Sequence, residues 1–106
     1  MPKFIIAITT TNSKKSAEEL ANIILSKKLA ACIHIYKIDS FYWWQGKITK
    51  DNEFVLHIKT THKLYKQLEQ VIVKNHPYDM PEIIQVPISQ GYKPYLDWIV
   101  EQTENG

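Results

Sequence analysis

Cys32-Ile-His-Ile-Tyr-Lys-Ile-Asp-Ser-Phe-Tyr-Trp-Trp44 has no helical period and is crowded with β-branched and aromatic residues. The run predicts a strand of about a dozen residues, where ~5–6 is usual. Alternation puts Ile33, Ile35, Phe41 and Trp43 on one face, and Cys32, Tyr36, Ile38, Tyr42 and Trp44 on the other. A strand apolar on both faces, in a chain too short for two helical layers, is expected to meet another subunit with its second face. Gln45-Gly46-Lys47 supplies a turn, and Ile48 to Thr61 reads as the returning strand. Phe54, Leu56 and Ile58 share one face of it; Glu53, Val55, His57 and Lys59 make a half-polar surface on the other.

The flanks supply the rest of the fold. Phe4-Ile-Ile-Ala-Ile8 is too short for a core helix and reads as a buried strand, followed by Thr9 to Ser13. Ala17, Leu20, Ala21, Ile24 and Leu25 recur at helical spacing, and Ala30 continues the pattern. Asn12, Ser13 and Ser16 are each able to cap that helix, and Ser16-x-x-Glu19 has the capping-box spacing. Lys27-Lys28 is expected in its last turn, against the negative end of the dipole. A second helix carried by Leu64, Leu68, Val71 and Ile72 stops before His76-Pro77. Glu82 to Ile88 reads as a last strand that Pro87 confines to an edge or a bulge. Pro94, Tyr95, Trp98 and Ile99 mark a terminal helix, with residues 101–106 expected to fray. The order predicts an α+β, ferredoxin-like βαββαβ fold with a C-terminal helix, one domain over residues 1–106.

Composition narrows the chemistry. The 106 residues are 44% hydrophobic and 23% charged, with a net charge of +2, too near neutral to point to nucleic acid or a membrane surface. All thirteen basic residues are lysine. The planar fork that arginine offers to phosphate or carboxylate is absent, including the arginine on which acylphosphatases of this topology rely. The only glycines are Gly46, Gly91 and Gly106, so no glycine-rich phosphate loop exists. Trp43 and Trp44 are adjacent in a strand and point to opposite faces, so they form no base-stacking platform. One cysteine excludes an internal disulfide and suits a reducing interior, the cytoplasm. No apolar run approaches the ~20 residues of a membrane span, and Met1-Pro-Lys-Phe reads as the start of a strand rather than a signal peptide.

Metal ligands are the remaining possibility. Cys32 and His34 lie two apart in a strand and share a face, a pairing that suits a soft ion. Cys32 lies between Ala31 and Ile33 and is expected to be buried, as a lone cysteine usually is. His57 and His62 lack ligand spacing. His76 stands in a loop, His76-Pro-Tyr-Asp-Met-Pro-Glu82, whose two prolines hold Tyr78, Asp79 and Glu82 in place at low entropy cost.

Asn75-His-Pro-Tyr-Asp-Met-Pro-Glu-Ile83 resembles the HPYxxPEI signature of CutA, the divalent-cation tolerance family. Leu29-Ala-Ala-Cys-Ile33, Ser40-Phe-Tyr-Trp-Trp-Gln-Gly-Lys-Ile48, Glu53, Ile58-Lys-Thr60 and Tyr95-Leu-Asp-Trp98 agree with it in order, so the likeness runs from Phe4 to Trp98. The resemblance implies a non-enzymatic protein that responds to metal ions, with no required cofactor and copper, Cu(II), as the ion most often associated. It implies a homotrimer of ferredoxin-like subunits whose long hairpins pair edge to edge, an assembly similar to that of the PII signalling proteins. His76, Glu82 and Cys32 are the expected divalent-metal ligands, the His76–Glu82 loop ahead of Cys32. The alternative is a PII-like binding module that holds a small anion or metabolite in inter-subunit clefts, where Lys59, Tyr78 and His76 form the polar lining. Two departures qualify the likeness. Copper-binding members tend to carry a cysteine near the end of the first strand, where this chain has Ile8-Thr-Thr10, so binding is expected to be weak. Many members have a Pro-Gly pair where this chain reads Tyr36-Lys-Ile-Asp39, about one residue shorter, which is expected to alter a bulge rather than the fold.

Overall fold

The computed structural model describes residues 3–103. Expectations for Met1-Pro2 and for residues 104–106 lie outside the described residues. The order is β1 (Phe4–Thr11), α1 (Lys14–Ser26), β2 (Cys32–Trp44), β3 (Lys47–Thr61), α2 (Tyr65–Asn75) after a single 3-10 turn at His62–Leu64, β4 (Ile83–Ile88) and α3 (Lys93–Thr103). The sheet order is β2-β3-β1-β4 with every pair antiparallel, the ferredoxin-like arrangement.

β1 runs three residues past the expected end. Thr9, Thr10 and Thr11 are β-branched and buried, so they extend the ladder instead of starting a loop. α1 and α2 cover one face of the sheet, where Ala17, Leu20, Ala21, Ile24, Leu68 and Ile72 pack on Ala7, Leu56 and Ile58. Of the three possible caps Ser13 is the one used: its extended backbone lets Oγ accept the Ser16 amide at 3.0 Å, and the Ser16–Glu19 box is left inside the helix. The lysine pair is displaced from its expected place in the last turn. Lys27 is the C-cap, and Lys28 sits beyond it at φ 57°. There the Leu29 amide donates to the Ile24 carbonyl (3.2 Å) and the Lys28 amide to the Leu25 carbonyl (3.0 Å). This is a Schellman closure built on a lysine where glycine is usual. α2 stops at His76, whose extended backbone (ψ 142°) is what the following proline demands. β4 pairs only with β1, so Pro87 stands on an edge as expected. Residues 101–103 do not fray: they are the last turn of α3, with Thr103 buried and its hydroxyl donating to the Ile99 carbonyl at 2.9 Å.

The hairpin dominates the outline. Thirteen register pairs join β2 and β3, from Cys32–Lys59 to Trp44–Lys47, with no bulge at Tyr36-Asp39. Gln45 and Gly46 close it with φ of 49° and 77°, a two-residue turn with both residues left-handed. β1 reaches only Phe54 of β3, so the two strands run on alone for about 23 Å at ordinary strand rise. The molecule is correspondingly elongated, 44 × 26 × 21 Å.

Lys28 carries a side chain in a conformation that favours glycine. Lys28→Gly is expected to raise the unfolding free energy by about 0.5–1 kcal/mol, read as a higher urea midpoint at an unchanged slope. An equal or lower midpoint would mean the lysine stem makes compensating contacts.

Candidate functional site

The sheet face opposite α1 and α2 carries the polar residues. α3 packs against β3, and Tyr95 stands beside Cys32. The expected half-polar surface of β3 is partly buried as a result: Val55 is buried and the Glu53 side chain is only 8% exposed. The face has an acidic end and a basic end. At the acidic end the Tyr78 hydroxyl donates to Glu53 Oε2 at 2.7 Å, and the Tyr42 hydroxyl donates to Asp51 Oδ2. Burial, then the Glu53 carboxylate, pushes the Tyr78 phenol well above its ordinary range, which leaves it a firm donor. The Asp51 hydrogen bond raises the Tyr42 phenol likewise.

His76 anchors the loop to the sheet. β4 covers β1 only as far as Thr9, and the next carbonyl, Thr10, takes the His76 Nε2–H at 2.7 Å. The Tyr78 amide donates to His76 Nδ1 at 3.1 Å, and the two rings lie 4.8 Å apart. A carbonyl only accepts and an amide only donates, so the ring is the neutral Nε2–H tautomer with both nitrogens engaged. Burial holds its pKa below the ordinary 6.5, against the opposing pull of the Thr10 carbonyl and of Glu53. The freely available imidazole expected at this loop is therefore already occupied: it stands in for the missing strand on the edge of β1.

The other expected ligands lie elsewhere. Glu82 is exposed on the loop. Cys32 is half-buried rather than buried, because it opens β2 beside Tyr95 and His34. Its Sγ is 3.6 Å from His34 Nε2, and Lys59 Nζ is 2.8 Å from His34 Nδ1. His57 Nε2 meets the Tyr36 hydroxyl at 3.0 Å. Lys59 stands six residues along β3 from Glu53, about 20 Å away, so one chain does not bring it to Tyr78 and His76. Among the described residues no three His, Cys, Asp or Glu side chains gather as a metal-ligand group. The described residues thus gather no preformed three-ligand site, and Cys32 lies at the opposite end of the face from the His76–Glu82 loop. The expected three-residue turn, Gln45-Gly46-Lys47, would have set Cys32 opposite Thr60; Lys47 instead opens β3, and the two-residue turn sets Cys32 opposite Lys59, while Thr10–His76 and Glu53–Tyr78 carried no local signal.

Two outcomes follow for His76. The unfolded chain binds its proton near pH 6.5 and the folded chain only at lower pH, so stability is expected to fall as pH drops through and below ~6.5. His76→Gln is expected to lose that part of the slope in urea titrations between pH 7 and pH 5. His76→Ala, which leaves the buried Thr10 carbonyl unpaired, is expected to lose about 1–3 kcal/mol at pH 7. A wild-type slope in His76→Gln would contradict the assignment.

Comparison with known proteins bears on the whole chain. The family described as CutA1 divalent ion tolerance protein matches residues 5–102. The rice Protein CutA 1, chloroplastic, is 41% identical over 104 residues; these are 97% of this chain, which spans 58% of that relative's length. The divalent-cation tolerance protein CutA of Archaeoglobus fulgidus is 41% identical over 95 residues, 90% of this chain and 93% of the relative. The crystal structure of CutA1 from Oryza sativa superposes with a TM-score of 0.94 at 40% identity, covering 99% of this chain and 97% of that one. The chain belongs to the CutA1 divalent ion tolerance protein family.

Proposed function

We propose that this chain acts as a non-enzymatic, homotrimeric divalent-cation tolerance protein that binds divalent metal weakly, copper foremost, and works in a reducing interior such as the cytoplasm. The observation that carries the reading is the hairpin. Beyond the last β1 rung, Phe41 (68%), Trp43 (72%) and Ile48 (70%) are exposed on one face, and Tyr42 and Trp44 are exposed on the other. Ile84 and Val86 are also exposed, on the face opposite α1 and α2. An apolar surface of this size, on a ladder whose outer edge is unpaired, supports coverage by further copies of the chain. Edge pairing between hairpins and a PII-like trimer satisfy both needs.

Weak metal binding agrees with the donor set. Glu82 presents an exposed carboxylate at the loop, as Asp79 does, and His76 joins them only by giving up Thr10 or the Tyr78 amide. Cys32 is the softer ligand, but it shares its surroundings with the Lys59 ammonium, which repels a divalent cation. Surface carboxylates without a free imidazole or thiolate beside them make a weak site. A non-enzymatic role agrees with the one thiol–imidazole contact: Lys59 donates to His34 Nδ1, which leaves the ring proton on Nε2 facing Cys32 Sγ, so His34 cannot serve the thiol as a base. The single free thiol supports the reducing compartment.

Light scattering of the dilute protein is expected to return three chain masses. Trp44→Asp is expected to lower both the mass and the melting temperature, since each large side chain covered between subunits adds ~1.5–3 kcal/mol. A wild-type monomer would overturn the reading. In calorimetric Cu(II) titrations, Glu82→Gln and His76→Ala are expected to weaken a saturable signal that Cys32→Ser retains. A signal lost in Cys32→Ser alone would move the metal to the thiol, and no wild-type signal would remove copper from the account.

A further inference from the structure

Lys59, His34 and His57 form a cluster that a metal-binding role does not use. Cys32 and His34 on β2 face Lys59 and His57 on β3, so the four side chains make a two-by-two patch on one sheet face. Lys59 is half-buried, with Ile6 opposite it on β1 and Cys32 opposite it on β2. Its ammonium has an imidazole as its hydrogen-bond partner, not a carboxylate. Among the described residues the one ion pair is Lys93–Asp97, on the outside of α3. The nearest carboxylate on the same β3 face is Glu53, and Tyr78 already donates to it. The ammonium thus has no carboxylate partner among the described residues, and its contact with His34 is exposed, where a dissolved anion can reach it.

The proton inventory states what such an anion would meet. An ammonium only donates, so His34 Nδ1 accepts from Lys59, and the ring proton sits on Nε2, directed at Cys32 Sγ. That leaves His34 no lone pair for a metal. Lys59 keeps two N–H groups, and His57 keeps Nδ1, because its Nε2 meets Tyr36. Tyr95 closes the side nearest Cys32, and its ring stacks on Trp98 at 5.7 Å. Separate single donors around a point charge suit a tetrahedral oxyanion; a planar carboxylate is better served by an arginine fork, which this chain lacks.

We propose that the Lys59–His34–His57 patch binds a phosphate group, either inorganic phosphate or the head of a phosphomonoester. The site differs from the His76–Glu82 loop in residues, place and sign of charge, and it does not depend on the metal reading.

The test is calorimetric titration of the purified full chain with inorganic phosphate and with phenyl phosphate. Saturable binding is expected, weakened about tenfold or more in Lys59→Met and in Lys59→Gln. The second variant guards against a packing loss in the first, and both are checked for an unchanged melting temperature. His57→Ala is expected to lose several-fold, and Lys63→Met, one turn beyond the strand, nothing. Tighter binding of phenyl phosphate would identify a monoester lying along Tyr95 and Trp98; equal binding would identify the phosphate alone. No saturable binding of either probe to the wild type, or binding by well-folded Lys59 variants that matches it, overturns the proposal.

Discussion

The pairing of β2 with β3 is the constraint on which the structure depends. Its register is uninterrupted from the Gln45-Gly46 turn to Cys32 and Lys59, so one turn decides which side chains meet along the whole ladder. It places the helix-facing residues Leu56 and Ile58 in the core and sends Phe41, Trp43 and Ile48 out past it. The overhang has neither a proline nor a bulge, the usual means by which an edge is blunted. Lys37, Asp39, Lys47, Lys50 and Asp51 are the charges there that oppose indiscriminate pairing. A two-stranded ribbon of this length is marginal in water alone, and its aromatic density is consistent with an element that finishes folding on contact with its neighbours.

The polar face follows from the same register. Carboxylates at 51 and 53 lie toward the tip and the His57 imidazole and Lys59 ammonium toward the base, and each end has its own tyrosine or imidazole partners. α3 and the His76 loop lie against opposite ends of this face. His76 repairs the edge of β1 at Thr10, and the geometry that makes it a good plug makes it a poor free ligand. A function in metal response must therefore work with modest affinity in one chain or with groups gathered from several.

The hairpin was legible because alternation is a backbone property: Cys32 to Trp44 could be read as a strand with two apolar faces, and its bounds agree with the structure. α2 and β4 were legible through Pro77 and Pro87, which restrict the backbone wherever they fall. Two readings failed for identifiable reasons. The threonines after Ile8 resembled a loop by polarity, yet their β-branching and burial make them strand. Lys27-Lys28 resembled a dipole cap, yet the Schellman closure places Lys28 past the helix. His76 was legible as a residue held in a proline-fixed loop, but its partner was not, because no local pattern reports a carbonyl 66 residues away.

The central claim is that other copies of the chain cover the β2–β3 overhang, and amide hydrogen exchange tests it most directly. In the isolated fold, the N–H groups of β2 that point away from β3 between Lys37 and Trp44 meet solvent and exchange within seconds. The account predicts that in the native protein these amides exchange as slowly as those of Ile5 and Ala7 in the core of β1. Rapid exchange along that edge, with β1 protected, would contradict it.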